Sequence, residues 1–547
     1  MEGLVFWRTV AEFALSSGAS SPSAPRRIGV FGLGVIAPGA ANVAALVARL
    51  SAARTGLAPT HGTTLGDGLF LVGDPDFSFE TYAPWITARH GDASFARLRT
   101  KCGENVQLAI GATIQALETD PRLERAAKEL DEACHVYVGS GVGDLPESYA
   151  AVRSLDRAVR DWNHFWADPT RCSARHRFEG EGQVPDAAPP PPAPETFAAD
   201  SAERFDAIVA WDAYWAALSD GLRAFLERFR AIEELAADDT DGEKAHLSAI
   251  RKRTRAQRAL TDELGCPPPP WTAVSANLIW NIQNAPAAQI TMLLGVHGEA
   301  WAPVGACSTF GVALKCGRDA ILRGDAKMAI VGTTDPRPDP ALCAAFYGAR
   351  VMPGTGKVNA PFTSLRGTHL SGGSCVWILG DADYFAERGL EPAFGYVDAV
   401  ALSSDAEHII TPSRSGPKVA IRRAYQEAGI TPADVAVIDL HATGTPGDLN
   451  ELALVHEFTT DQTRITARKG QLGHGMANAG GWELTALALS LKERVALPTG
   501  IPKGEIHPKA LRRENIVTDA APLGAGVGVK LMLGIGGITA CVVLRGR

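Results

Sequence analysis

Gly305-Ala306-Cys307-Ser308-Thr309, followed by an apolar-periodic run at 312–322 and then Arg323-Gly324-Asp325, is the stretch on which the fold reading turns. The spacing predicts a helix that starts just after a cysteine and stops at a glycine, ahead of a short apolar strand at 328–331. A cysteine at a helix entrance meets unpaired amides and the positive end of the helix dipole, and both favour thiolate over thiol. Free cysteines are more often inert core residues than nucleophiles, so the meaning of Cys307 depends on the rest of the chain.

Outward from that stretch the chain alternates strand and helix. Residues 27–35 read as a buried strand and 42–50 as a helix. A helix at 105–117 precedes a strand at 135–138 that ends in Gly139-Ser140-Gly141. Further strands are expected at 376–379, 435–440 and 539–544, with a helix at 483–492 and a glycine turn at 534–537. This rhythm indicates an α/β protein whose helices cover mostly buried sheets.

The 547 residues, 46% apolar and 21% charged, are enough for one very large core or two to three ordinary ones. A formal charge of -8 argues against a general nucleic-acid binder, which needs a basic surface to release counterions. Nine cysteines without a C-x-x-C pair give neither a disulfide framework nor a common zinc spacing, so a reducing, cytoplasmic setting is expected. In residues 1–25 Arg8 and Glu12 interrupt the apolar residues, so no signal-peptide block forms, and no run reaches membrane-spanning length.

The rhythm breaks between about 145 and 270. There lie an aromatic cluster (Trp162, Phe165, Trp166), a proline run at 189–192, and a helical stripe of Ile208, Trp211, Trp215, Leu218, Leu222, Phe225, Phe229 and Ile232. This reads as an inserted helical subdomain whose stripe packs on the main core. Its length calls for a structure or function of its own: dimer surface, pocket lid or docking face. Arg171, Arg175 and Arg177 form one basic run in it, and Arg251, Lys252, Arg253 and Arg255 another; either is a steering patch for an acidic partner or ordinary solvated helix charge. His164, Cys172 and His176 do not have a standard zinc spacing, and no metal is expected.

Two histidines stand in glycine-rich surroundings: Leu440-His441-Ala442-Thr443-Gly444-Thr445-Pro446, and Lys469-Gly470-Gln471-Leu472-Gly473-His474, which runs on to Glu483. Glycines there let a ligand approach the backbone, and strand ends of α/β sheets are where sites form.

Together these motifs resemble the Cys-His-His signature of elongating β-ketoacyl-[acyl carrier protein] synthases, in the family's order: Cys307, His441, His474. The resemblance extends to the opening strand and turn at 27–38, to Ser404-Asp405-Ala406-Glu407-His408, and to the closing loop Gly534-Ile535-Gly536-Gly537. It implies a thiolase-like, five-layered αβαβα fold of two related halves. Residues 1–25 would be an extension, 26–390 the half carrying the nucleophile with the insertion at about 145–270, and 391–547 the half carrying both histidines.

The implied reaction is decarboxylative condensation of malonyl carrier protein with an acyl group held on Cys307, in fatty-acid or polyketide synthesis. Acyl carrier protein would be the partner, the assembly a homodimer or heterodimer, and no cofactor is required. His441 and His474 would stabilise the enolate, and the amides of Cys307 and Ile535 the acyl-transfer oxyanion. Lys469 and Glu483 read either as electrostatic support for the site or as a structural ion pair.

The sequence departs from the family's pattern in four places. Gly373 stands where the family has a glutamate, Ala442 replaces a glycine, Pro446-Gly447-Asp448 is one residue short, and Ile535 replaces a gating phenylalanine. Three competing readings are weaker. Gly32-Leu33-Gly34-Val35-Ile36-Ala37 only partly fits a dinucleotide fingerprint, with Pro38 where a helix should begin. A coenzyme A-dependent thiolase would need a second cysteine, and Cys541 lacks the glycine context. A chain-length-factor-like partner subunit would have lost the nucleophile, which is present.

Overall fold

The computed structural model describes residues 26–61, 66–182, 188–235, 242–407, 413 and 415–547; the extension at 1–25 and His408 lie outside the described residues. The chain forms two compact units, one of residues up to Leu145 together with Trp280–Arg547, the other Pro146–Ile279.

The larger unit is built on a ten-stranded sheet: β1 (Ile28–Ile36), β2 (Cys134–Gly139), β3 (Ala300–Trp301), β4 (Met328–Asp335), β5 (Gly373–Asp381), β6 (Tyr396–Ser404), β7 (Val435–Asp439), β8 (Arg464–Thr466), β9 (Val527–Gly534) and β10 (Ile538–Arg545). Their order is β8-β7-β9-β10-β6-β1-β5-β4-β2-β3. The first five strands run 1-5-4-2-3 from the middle outward, and the second five run 6-10-9-7-8, the same permutation. Pairing directions repeat too. β5 is antiparallel to β1 and β4, and β10 to β6 and β9; β4 is parallel to β2, and β9 to β7. The unit is thus two copies of one α/β design, joined where Gly29 of β1 meets Tyr396 of β6.

Strand alternation sends side chains into separate cores. From β5, Cys375, Trp377 and Leu379 enter a central core, while Val376 and Ile378 enter an outer one. From β10, Ala540, Val542 and Leu544 face the centre, and Cys541 and Val543 face the other outer core. The central core holds the helices Thr309–Arg323 and Ala479–Glu493 between the two half-sheets. Glu104–Glu118 covers the first half from outside and Ser415–Ala428 the second, which completes five layers.

The two central helices begin alike. Each has fifteen residues and follows a single 3-10 turn, Ala306–Ser308 or Met476–Asn478. Each turn opens on a non-glycine residue with positive φ, Ala306 at 48° and Met476 at 50°. Such backbone is strained and persists only where its surroundings hold it. Cys307 in one half therefore corresponds to Ala477 in the other.

The smaller unit corrects the expected stripe. It is two helices, Ala202–Leu218 and Asp220–Glu233, because Ser219 adopts extended backbone and caps the second by accepting from the Leu222 amide. Where the sequence suggested packing on the main core, the stripe has a core of its own. Trp211 and Trp215 pack with Ala167 and Cys172, while Phe225 packs with Trp162, Trp166 and Leu260, all within this unit. His164 is engaged by Asp212 at 2.9 Å, and the Cys172 thiol donates to the Trp215 carbonyl at 3.3 Å. In the first basic run Arg175 pairs with Glu179 at 2.6 Å; in the second, Arg253 donates to the Leu235 carbonyl.

Candidate active site

Cys307, His441 and His474 line one mostly apolar cavity of about 140 Å³, together with Phe346, Leu454 and Ile535. Each side chain arrives on a different device. Cys307 sits in the strained turn ahead of its helix, which is braced by Ser308 Oγ donating to the Ile538 carbonyl at 2.8 Å and Thr309 Oγ1 to the Ala306 carbonyl at 2.6 Å. His441 follows the end of β7. Its amide donates to Glu451 at 2.7 Å, the Ala442 amide reaches the same carboxylate at 2.8 Å, and its carbonyl accepts from Lys469 Nζ at 2.5 Å. His474 is held by backbone: its amide donates to the His369 carbonyl at 2.6 Å, and its carbonyl accepts from the Ser371 amide at 3.0 Å.

The two imidazoles meet edge to face, with ring centroids 5.3 Å apart. Burial keeps both well below the ordinary histidine pKa, and the charges of Lys469 and Lys530 push the same way. They are neutral rings, and His474 Nδ1 is buried without a partner. The Cys307 thiol departs from the expected low pKa. Burial pushes it up to about 11, against the opposing pull of the Ile535 amide, the Lys469 charge and its own amide. Desolvation outweighs the helix-end effect here, so the resting nucleophile is a thiol.

The closing loop joins β9 to β10. Gly536 and Gly537 have φ of 89° and 74°, so the chain turns back between β9 and β10, and the Ile535 amide faces Cys307. Ile535 itself is 40% exposed on the cavity wall. The Ser404–Glu407 segment backs this loop, with the Asp405 amide donating to the Gly537 carbonyl at 2.8 Å. The shortened loop after His441 is organised by Asp448, whose carboxylate accepts the amides of Thr443, Gly444 and Phe362 at 2.9–3.0 Å.

Lys469 and Glu483 form a buried ion pair at 2.8 Å. The pair is part of a larger group that the sequence reading missed. Lys530 Nζ lies 2.7 Å from Glu483 Oε2 and 2.8 Å from Asp439 Oδ1, and Arg468 Nε is 3.4 Å from Asp439. Removing one member of such a buried pair typically costs about 3–5 kcal/mol, because its partner is left charged and unsolvated. The signals were a lone lysine inside an apolar strand and an acid closing another. Asp448 and Glu451, three residues apart at a helix start, were missed in the same way. Among the described residues no cluster of His, Cys, Asp and Glu is arranged to hold a metal, and no helix is long and apolar enough to cross a membrane.

A duplicated five-layered α/β unit with a cysteine heading one central helix is the thiolase-type architecture. Residues 249–382 match the β-ketoacyl synthase N-terminal domain and 394–500 the β-ketoacyl synthase C-terminal domain. Both matches fall in the family's order, N-terminal domain before C-terminal domain, so the chain is similar to the β-ketoacyl synthase family across the segments that carry the nucleophile and the histidines. It is 29% identical over 222 residues to nodulation protein E of Rhizobium meliloti, covering 40% of this chain and 54% of that one. It is 26% identical over 280 residues to 3-oxoacyl-[acyl-carrier-protein] synthase 2 of Rhizobium meliloti (strain 1021), covering 48% and 64%. The chain thus spans a little over half the length of these curated relatives. Among solved structures, the ishigamide ketosynthase/chain length factor superposes with a TM-score of 0.65 at 19% identity, over 96% of this chain and 100% of that one.

Proposed function

We propose that this protein is a β-ketoacyl synthase acting on carrier-protein thioesters. The observation that carries the reading is the convergence of Cys307, His441 and His474, from three distant segments, on one cavity with the Ile535 amide facing the sulfur.

In the first half-reaction the Cys307 sulfur attacks the carbonyl of an acyl carrier thioester. An unprotonated imidazole can accept the thiol proton, which offsets the burial that disfavours a standing thiolate. The oxyanion forms between the amides of Cys307 and Ile535 and collapses as the carrier thiol leaves. In the second, malonyl carrier protein loses carbon dioxide, and the enolate oxygen is stabilised by N–H groups of His441 and His474. The carbanion attacks the acyl-cysteine carbonyl, the carbon–sulfur bond breaks, and the β-ketoacyl thioester departs on the carrier. Lys469 supplies a fixed positive charge beside both rings and is itself held by Glu483. The presence of Cys307 favours a catalytic subunit over a chain-length-factor-like partner. The matching ketosynthase/chain length factor structure supports pairing with a second subunit, identical or related.

Intact-mass measurement after incubation with acyl carrier protein thioesters tests this reading. An acyl increment on the parent protein, absent from Cys307→Ala, is expected. No increment with any chain length would overturn it in favour of the partner-subunit role.

A further inference from the structure

Lys530 is the fourth of the eight residues of β9 and is fully buried. It lies on the face that meets the helix Ala479–Glu493, since Gly528 on the same face packs against Leu487 and Leu491. Its Nζ contacts Asp439 Oδ1 at 2.8 Å, the Leu440 carbonyl at 3.0 Å and Glu483 Oε2 at 2.7 Å. Glu483 is therefore divided between Lys530 and Lys469, and Asp439 between Lys530 and Arg468. Three cations and two carboxylates share this patch, a formal excess of one positive charge, next to the peptide of His441 that Lys469 holds.

The fold itself does not require these charges. In the first half the fourth residue of β4 is Val331, and the fifth residue of the central helix is Ala313. The second half has Lys530 and Glu483 at those places. Val331 and Ala313 are fully buried in the central core, so the same layer is built there from apolar packing alone. Apolar packing is commonly as stable as a buried ion cluster or more so. A charge cluster retained in only one of two equivalent layers, the one beside the histidines, points to a role at the site.

We propose that Lys530 is a positioning residue for the condensing site: by sharing Glu483 with Lys469 it leaves a surplus positive charge beside His441 and His474, which stabilises an anion in the cavity. Its connection to catalysis rests on the function proposed above. The ionisable groups around the two rings are Arg468 and Lys469 from the turn after β8, Glu483 from the central helix and Asp439 from β7. Lys530 comes from β9, Asp448 and Glu451 from the helix Gly447–Val455, Asp335 from β4, Cys307 from its turn, and His369 from the segment before β5. Lys469 and Lys530 both lower the proton affinity of both rings.

The test compares Lys530→Met, which cancels the surplus, with Asp439→Asn/Lys530→Met, which restores a surplus of one without the lysine. Lys530→Gln, still able to donate to the Leu440 carbonyl, is a second neutral variant should the first not fold. Ring titrations of His441 and His474 by NMR of carbon-13-labelled histidine are read from pH 4 to 9, beside the pH profile of malonyl carrier protein decarboxylation. In the single neutral variants both ring midpoints, and the acid limb of the profile, are expected to move up by about one pH unit. The double variant is expected to return toward the parent. A merely structural lysine would lower the amount of folded protein and leave the midpoints in place. Midpoints equal to the parent's in the folded single variant overturn the proposal, as does a double variant that stays shifted. If the midpoints move as expected but the parent decarboxylates nothing, the electrostatic assignment stands and the condensing function falls.

Discussion

Glu451 accepts the amide of His441 on one carboxylate oxygen at 2.7 Å and that of Ala442 on the other at 2.8 Å, so a single buried side chain fixes the peptide that carries the first imidazole. Burial raises this carboxyl to about 7, although both amides and the Lys530 charge pull it down. The folded protein thus holds a proton here that the unfolded chain releases near 4.5. Its contribution to stability is full below about pH 4.5 and declines as pH rises toward 7. Glu451→Gln removes this titration. The stability gap between parent and variant should narrow by roughly 2–3 kcal/mol between pH 4.5 and 8 in urea denaturation. A gap independent of pH would mean that Glu451 ionises in the fold as easily as in water.

Cys307 should respond to alkali later than a free cysteine. With its thiol pushed up to about 11, alkylation by iodoacetamide should still climb about tenfold per pH unit between pH 8 and 10. Mass spectrometry with Cys307→Ala as the blank follows this site alone. A rate that levels off near pH 8 would show a thiolate already standing at neutral pH.

No side chain fits at Gly373, where the family's pattern has a glutamate. Its φ is 150°, and a Cβ built there would lie 2.2 Å from the Ile36 carbonyl oxygen and 2.7 Å from the Trp482 ring. Gly373→Ala is expected to destabilise the protein by about 3 kcal/mol or more, since both backbone strain and overlap with fixed atoms must be relieved. A loss under about 1 kcal/mol in the same denaturation experiment would show that the strand shifts freely.

Ile535 forms cavity wall where the family's pattern has phenylalanine. A larger ring there should penalise long acyl donors more than short ones. Acylation rates of Ile535→Phe relative to the parent are expected to fall by about tenfold across a chain-length series. Identical profiles would remove Ile535 from substrate choice.

The residues that announce themselves in the sequence are those whose chemistry is local. Cys307, His441 and His474 stand among glycines and small residues that only a tight turn or a close backbone approach requires. Strand and helix positions followed from periodicity, because β5 and β10 are buried on both faces and the central helices end at glycine or at a left-handed residue. Lys530 and Asp439 could not be paired by inspection. They are 91 residues apart, and their meeting depends on β7 lying beside β9 in the sheet. The acidity of Cys307 was misjudged because a helix end is visible in a sequence and the depth of burial is not. The continuous stripe of the insertion failed at Ser219-Asp220, whose capping chemistry was in plain sight; what the stripe packs against is a tertiary fact.

The duplicated architecture also sets an order of assembly. The thiol belongs to the first copy of the design, whereas both imidazoles, the buried lysines and the facing Ile535 amide belong to the second. The hairpin carrying Ile535 follows every other strand of the sheet in sequence. A chain emerging from the ribosome therefore carries Cys307 as an ordinary thiol for most of its synthesis. The cavity that joins the thiol to the two imidazoles is therefore complete only once the last hairpin of the sheet has been made.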